Sequence, residues 1–329
     1  MKKLISLICV LAMVLALAAC GSSAPAAATE APAASTEAPA EDVSTDKTFV
    51  VGICQLVQHP ALDAATQGFK DALTEALGDK VTFQEQNASG DSATCSLICN
   101  QFVSDEVDLI MANATASIQA AASATNTIPI LGTSITDYGV ALGVDNWTGV
   151  SGTNISGTSD LAPLDGQAAM IQELFPDAKT IGLLYCSGEP NSIFQADSME
   201  ALLTDMGYSV ERYTFADSND VSSVTANACS NSDVLYIPTD NTAASCTEAI
   251  NNVALSAGIP IVAGEEGIAS GCGVATLSIS YYDLGRATGE MAAEILTEGA
   301  DISTMEVRFA PAFTKEYNAD ICEALNITV

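Results

Sequence analysis

The chain runs to 329 residues and carries ten Lys and Arg against 41 Asp and Glu, a formal charge of −31 at pH 7. A field of that sign repels nucleic acid and phosphate-rich surfaces, so a polynucleotide partner is excluded and an anion site built from basic side chains is disfavoured. Apolar residues make up 48% of the chain, enough for large cores, so the acidity does not signal general disorder.

Lys2 and Lys3 precede an apolar run from Leu4 to Leu17. This is the layout of a secretory signal peptide, too short and wrongly flanked for a membrane span. Leu17-Ala18-Ala19-Cys20 then sets small residues before a Cys, as in a lipobox, after which Cys20 is acylated and becomes the N-terminus. Residues 1–19 are therefore expected to be a signal peptide, and their loss removes two Lys and takes the charge from −31 to −33. Residues 21–46 are almost wholly Ala, Pro, Ser, Thr and Glu and cannot bury enough apolar surface to offset chain entropy. Residues 20–46 thus read as a lipid-anchored disordered tether, and the protein as extracytoplasmic and held to the cell membrane by that anchor.

From there, short apolar runs alternate with segments of helical period. Phe49–Cys54 reads as a buried parallel strand. A loop through His59-Pro60 follows, then a helix with Leu62, Ala65, Phe69, Leu73 and Leu77 on one face and Gly78 at its end. Strands follow at Val81–Phe83, Val107–Ala112 and Ile128–Leu131, the strand–helix alternation of parallel sheets covered by helices. The second half repeats the plan. Thr180–Cys186 ends in a loop with Glu189-Pro190, as the first strand ends in one with His59-Pro60. Gly52 and Ile128 stand 76 residues apart, Gly182 and Ile259 77, which suggests two lobes of one topology.

Ligands of open parallel sheets sit beyond the carboxyl ends of the strands. The loops there hold Gln55, Gln58, His59 and Pro60, then Asn113, Thr115 and Ser117, then Thr136 and Asp137. In the second half they hold Glu189, Asn191 and Ser192, then Asp240 and Asn241, then Glu265. Short donors and acceptors with several carboxylates and no Lys or Arg suit a small ligand with an ammonium or hydroxyls. Its carboxylate, if it has one, would rest on hydroxyls and helix-start N–H groups near Thr115 and Ser117. Asp240 is the first expected ammonium partner and Glu189 the second, with Asp137 facing them and Pro60 and a Tyr as apolar walls. Each has a plainer reading: Asp240 and Asn241 make good helix caps, and His59 closes a turn before Pro60 as readily as it reaches a cleft. Tyr281, just before a helix of Leu284, Ala287, Met291 and Ile295, is either core or hinge wall, and Trp147 is expected to be structural.

Once Cys9 leaves with the signal and Cys20 takes lipid, eight Cys remain. They lack zinc-type pairing and fall mostly in apolar patterns, so buried thiols are favoured over a disulfide framework. There is no Gly-x-Ser-x-Gly elbow and no Walker loop, and Cys54 lies within a strand pattern although His59 is near in sequence; the expectation is no enzyme, no metal and no cofactor.

Gln55-Leu56-Val57-Gln58-His59-Pro60-Ala61-Leu62-Asp63-Ala64-Ala65 with Gly68-Phe69 resembles the opening of the solute-binding lipoproteins of ABC importers, tryptophan-binding type. Asn87–Asp91, Thr136-Asp137, Gly188–Ser192, Thr239–Thr242 and Tyr281–Arg286 resemble that family's further motifs in the same order, over residues 48 to 329. The resemblance implies an α/β fold of two Rossmann-like lobes with parallel sheets joined by a hinge, the type I periplasmic-binding-protein fold. It places residues 47–158 and 283–300 in an N-terminal lobe and 159–282 and 301–329 in a C-terminal lobe, and Tyr281 at the hinge. It implies capture of a small amino acid, aromatic in the best-known members, by a monomer that delivers it to an ABC permease and its ATPase. A nucleobase or sugar-like cargo, or a sensor passing occupancy to a membrane receptor, are the alternatives. Where many relatives continue Thr-Asp-Pro, this chain reads Thr136-Asp137-Tyr138, which leaves the shape of one pocket wall open.

Overall fold

A computed structural model describes residues 47–329. The expected signal peptide, the lipidation at Cys20 and the tether lie outside the described residues. Among the described residues no helix is long and apolar enough to cross a membrane.

The first lobe is built from β1 (Phe49–Gln55), α1 (Pro60–Leu77), β2 (Val81–Asn87), α2 (Ser92–Ser104), β3 (Leu109–Asn113), α3 (Thr115–Ala124), β4 (Ile130–Ile135), α4 (Tyr138–Leu142) and β5 (Ile155–Ser159). The chain then crosses to a second lobe of α5 (Leu164–Leu174), β6 (Thr180–Cys186), α6 (Pro190–Asp205), β7 (Ser209–Phe215), α7 (Val221–Asn231), β8 (Val234–Ile237), α8 (Asn241–Ser245), α9 (Thr247–Ala257), β9 (Ile261–Ala263), α10 (Glu266–Cys272) and β10 (Ala275–Ser278). It returns through α11 (Tyr281–Glu298) and β11 (Arg308–Phe309) and finishes with β12 (Thr314–Tyr317) and α12 (Ala319–Ala324).

The two sheets have matching orders, β11-β5-β4-β3-β1-β2 and β12-β10-β9-β8-β6-β7, so β1 answers to β6, β3 to β8 and β4 to β9. Every pairing is parallel except β10 with β12. Helices cover both faces of each sheet, which is why the central strands read as unbroken apolar runs: β3, β4 and β8 are buried at every residue. In the first lobe one face packs Phe102, Ile110 and Ile118 and the other Phe69, Leu109 and Met291. The second lobe repeats this with Phe215, Leu235 and Ile268 on one side and Met199, Tyr236 and Val262 on the other.

Helix α11 is welded to α1 of the first lobe through small residues. A methyl group on Gly68 would collide with the Tyr282 carbonyl, and one on Gly285 with the carbonyl of Ala65. Gly299 ends α11 in the left-handed conformation (φ 68°), where glycine has no Cβ penalty. One boundary differs from expectation. Residues 301–329 were expected in the C-terminal lobe, but Arg308 and Phe309 pair with Thr158 and Ser159 of β5, so residues 301–309 stay with the first lobe and the crossover follows them. A two-residue strand carries no periodicity from which to read its partner. Among the described residues the eight cysteines are all unpaired, seven of them buried and Cys246 half-buried.

Candidate functional site

The loops at the carboxyl ends of the two sheets meet across a cleft. Two hydrogen bonds span it: His59 Nε2 to Asn241 Oδ1 (3.3 Å), and Gln195 Nε2 donating to Thr136 Oγ1 (3.2 Å). Between them the lobes enclose a chamber lined by His59, Leu62, Ser134, Thr136, Asp160 and Asn191, and by Thr239, Asp240, Asn241, Ala244, Glu265 and Tyr281. Its volume is about 10 Å³, room for about one water molecule. Beyond Asn241 the cleft widens into an outer groove of about 380 Å³, whose walls include Leu56, Val57, Ala116, Ala216 and Glu189.

Asp160 is the one chamber carboxylate whose side-chain partners are hydroxyls and which caps no helix. It follows β5 at the first crossover and is 3% exposed. Thr136 Oγ1 donates to its Oδ1 (3.1 Å) and Tyr281 OH to its Oδ2 (2.9 Å). Burial pushes the carboxyl up to about 6, against the pull of the two hydroxyls. A carboxylate has about four acceptor positions, so two remain for a cationic donor.

The other chamber acids are spent on helix starts. Asp240 Oδ2 accepts from Cys186 N (2.7 Å) and Oδ1 from Ala243 N (2.7 Å), capping α8. Burial first, and then the negative Glu189, raise its pKa. Glu265 caps α10 with both oxygens, on Gly267 N (2.6 Å) and Ile268 N, and burial lifts it to about 7. Glu189 also reaches across to α8: Oε1 accepts from Thr242 N and Oγ1, Oε2 from Asn241 N and Nδ2. Asp240 and Glu189, the expected first and second ammonium partners, thus each already accept from helix-start donors, and Asp240 lines the chamber while doing so. Asp137 likewise caps α4 through Val140 N and does not line the chamber.

The remaining expected residues divide. His59, Thr136, Asn191, Asn241 and Tyr281 line the chamber, and Asn191 is held there by its bond to the Thr239 carbonyl (3.0 Å). Ser192 is buried beside Asn191, within reach of Asp240. Gln55 turns inward, donating to Asp63 Oδ1 (2.6 Å) and accepting from Thr66 Oγ1 (2.7 Å). Asn113 does the same, donating to the Leu62 carbonyl and to Thr66. Ser117 faces the thiols of Cys54 and Cys95 in the first core, so it is not a cleft hydroxyl. Pro60 is exposed as the first residue of α1 and forms no chamber wall. Thr115 opens α3, where Ala114 sits at φ 90° and ψ 161°, a conformation costly for any residue with a Cβ. Tyr138, where the Thr-Asp motif departs from the resemblance, points into the first core: its ring stacks on Trp147 at 5.7 Å and its single O–H has the Gly132 and Thr158 carbonyls as acceptors within reach.

Asp160, Leu62 and Ala244 are chamber residues that the strand-end loops do not point to, whereas Ser134 and Thr239 lie at those strand ends. Asp160 has no helix-start or motif context; only its placement beside Tyr281, 121 residues away in sequence, gives it a role. Two buried chamber atoms, His59 Nδ1 and Ser134 Oγ, have no hydrogen-bond partner. No side chain caps α1, α3 or α6, whose first turns face the cleft from both lobes.

Over residues 50–329 the chain matches the family described as ABC transporter substrate binding protein. It is 38% identical over 280 residues to the tyrosine-binding protein of Clostridioides difficile (strain R20291), covering 84% of this chain and 81% of that protein. Its fold superposes with a TM-score of 0.82 on the crystal structure of an ABC domain in complex with L-Trp from Streptococcus pneumonia, at 31% identity over 86% of this chain and 96% of that one. The ligand-free, open structure of a substrate-binding protein with adhesive properties from Clostridium difficile is closer in sequence, at 38%, yet fits less well, with a TM-score of 0.66 over the same shares of the two chains. The lobes described here therefore stand nearer the arrangement of the L-Trp complex, in agreement with the two hydrogen bonds that cross the cleft.

Proposed function

The chain belongs to the ABC transporter substrate-binding protein family, and from that premise we propose that it captures an aromatic L-amino acid between its lobes and hands it to its permease. The observation that carries this reading is Asp160, a buried carboxylate at the crossover that lines the chamber and caps no helix. Asp160 takes the ammonium, since a charge-assisted hydrogen bond in a low-dielectric site is the strong kind. The carboxylate of the cargo rests on the uncapped start of α1 and on Ser134 Oγ, which needs no basic side chain. A chamber of about 10 Å³ is far below the ~300 Å³ at which ligand pockets begin. The lobes must therefore part for entry and the chamber must enlarge around the cargo, with the ring extending past Asn241 along Leu56, Val57 and Ala116 of the outer groove. Relatives that bear the names tyrosine-binding and L-Trp complex support the aromatic class.

Such proteins work outside the cytoplasm with an ABC permease as partner. To this we add acylation at Cys20 and a monomeric state. Closure that favours the loaded form is how capture would be reported to the permease. The deciding experiment is calorimetry of the purified protein against L-Tyr, L-Trp, L-Phe, aliphatic amino acids, nucleobases and sugars. Saturable heat with the aromatic amino acids alone is expected; binding only of a sugar or nucleobase would overturn the reading.

A further inference from the structure

The chain contains one histidine, and its two ring nitrogens face different things. His59 is 6% exposed. It is the last residue before α1, in extended backbone (φ −160°), and its side chain caps nothing. Nε2 lies 3.3 Å from Asn241 Oδ1, across the cleft. Nδ1 is buried without a partner and the ring lines the chamber.

The neighbouring network decides which nitrogen carries the proton. Asn241 Nδ2 donates to Glu189 Oε2 at 2.7 Å, and a carboxylate only accepts, so the amide nitrogen faces Glu189 and the amide oxygen faces His59. An oxygen acceptor requires Nε2–H. In a neutral imidazole Nδ1 is then a bare lone pair. Burial holds the His59 pKa below its usual value, so the neutral ring prevails, although Asn241, Glu189 and Asp63 pull the other way. The other titratable groups that line the chamber are Asp160, Asp240, Glu265 and Tyr281, all raised by burial.

We propose that His59 accepts a hydrogen bond from the ammonium of the cargo at Nδ1 while donating from Nε2 to Asn241 across the cleft, so that one ring couples capture to closure. The proposal rests on the capture of an amino acid argued above. An ammonium has three N–H donors; Asp160 takes one and its charge, and Nδ1 takes a second. A donor on Nδ1 draws electron density from the ring and makes Nε2–H a stronger donor, the cooperative polarisation of hydrogen bonds in series. The first lobe therefore holds the second more firmly when the cargo is present. His59 is a specificity-determining residue of the site, because an arylpropionate that has the ring and carboxylate but no amine leaves Nδ1 unpartnered.

A sole histidine makes the test direct. Protein labelled with ¹⁵N and purified without a histidine tag gives one imidazole, and its long-range ¹H–¹⁵N spectrum reports the tautomer. The expected free protein shows Nε2–H with a bare Nδ1. Saturation with L-Tyr should move the Nδ1 resonance toward that of a hydrogen-bonded acceptor, whereas 3-(4-hydroxyphenyl)propionate should not move it. A proton found on Nδ1 overturns the proposal, and so does an equal Nδ1 response to the arylpropionate. Heat of binding with a motionless Nδ1 overturns the His59 assignment and leaves the capture reading standing. No heat with any aromatic amino acid overturns that reading, and the assignment with it. His59→Phe should lower affinity about tenfold or more, as expected for a lost hydrogen bond to a charged group. Should that variant fail to fold, Asn241→Ala leaves the imidazole in place and should give a mixture of tautomers with weaker closure by small-angle scattering. A retained pure Nε2–H form in Asn241→Ala would show that the cross-cleft bond does not set the tautomer.

Discussion

The two lobes share a topology and finish one pair of equivalent strands differently. After β1 and β6 the helices α1 and α6 begin with no side-chain cap, and after β4 and β9 the helices α4 and α10 begin on Asp137 and Glu265. After β3, however, α3 begins uncapped, whereas after β8 the buried Asp240 caps α8 and Glu189 adds a second cap. At that pair the first lobe leaves backbone donors unclaimed and the second answers them with its own acids. The lesson is that a carboxylate in a cleft is defined by what it already accepts. Asp240 and Glu265 already hold helix starts of the second lobe, and in the reading proposed above Asp160, placed at the crossover between lobes, is the acid that meets the ligand.

The widest break in this comparison should come from Asp160→Asn. Removing the charge leaves a buried ammonium uncompensated, which costs on the order of 3 kcal/mol, about a hundredfold in affinity for the best aromatic amino acid. The empty protein should respond in the opposite direction. The folded pKa of about 6 lies above the 3.8 of an unperturbed Asp, so the folded state binds more protons between those values. The stability this group contributes is complete below about pH 4 and is lost as pH rises through 6, by on the order of 3 kcal/mol. Glu265, raised to about 7, extends the same decline. Urea unfolding of the free protein should thus show falling stability from pH 4 to 7, with a shallower fall in Asp160→Asn, while affinity for cargo in the native protein rises over the same range. A cargo affinity indifferent to both the substitution and the pH would remove Asp160 from the site.

Asp240→Ala tests the other side. It strips two backbone N–H groups, of Cys186 and Ala243, of their acceptor. A stability loss of about 2 kcal/mol is expected, with affinity per folded molecule within a fewfold of native, as measured by denaturation and calorimetry on one preparation. A hundredfold loss of affinity at unchanged stability would return Asp240 to the role its sequence context suggests.

Much of the fold was legible and the reason is plain. Strands covered on both faces are mostly apolar, so β1, β3, β4 and β8 begin as apolar runs that turn polar only toward the cleft, and their repeated spacing exposes the duplication. The chamber was only half legible. His59, Thr136, Asn191, Asn241 and Tyr281 lie in strand-end loops and do line it. An Asp before a short helix, however, has the same local sequence whether it caps or binds, as Asp240 illustrates. Asp160 has no local sign at all, since its meaning comes from Thr136 and Tyr281 on other elements. Ser117 and Gln55 were misplaced by one helical or strand face, which residue type alone does not reveal.

Ala114→Gly should have a smaller effect and the opposite sign. The residue holds φ 90° and ψ 161° at the start of α3, a region that strains a Cβ by about 1–3 kcal/mol. Glycine removes that strain but adds about 1 kcal/mol of unfolded-chain entropy. A net gain of about 1 kcal/mol in stability is expected, seen as a higher melting temperature. A loss instead would mean that packing of the Ala114 methyl group in the first core outweighs its backbone strain.

The smallest effect should come from Tyr138→Phe, and it bears on the one position where the chain departs from its resemblance. Tyr138 occupies the turn after β4, which corresponds in the second lobe to the turn after β9 where Glu265 faces the chamber. Were the two turns alike, a Tyr there would form a wall of the site. Instead its ring is 2% exposed and stacked on Trp147, and its hydroxyl rests on carbonyls of Gly132 and Thr158 inside the first lobe. Those carbonyls belong to paired strands, so losing the hydroxyl removes a supplementary donor and strands no acceptor. The buried phenol also exchanges a polar group for an apolar one of nearly the same shape, which offsets part of the lost bond. The expected cost is about 0.5 kcal/mol, with cargo affinity unchanged and a small shift in the emission of Trp147, the only tryptophan of the chain. An affinity change beyond threefold at native stability would place Tyr138 in the wall of the site after all, beside the His59, Ser134 and Thr136 side chains that the first lobe already contributes.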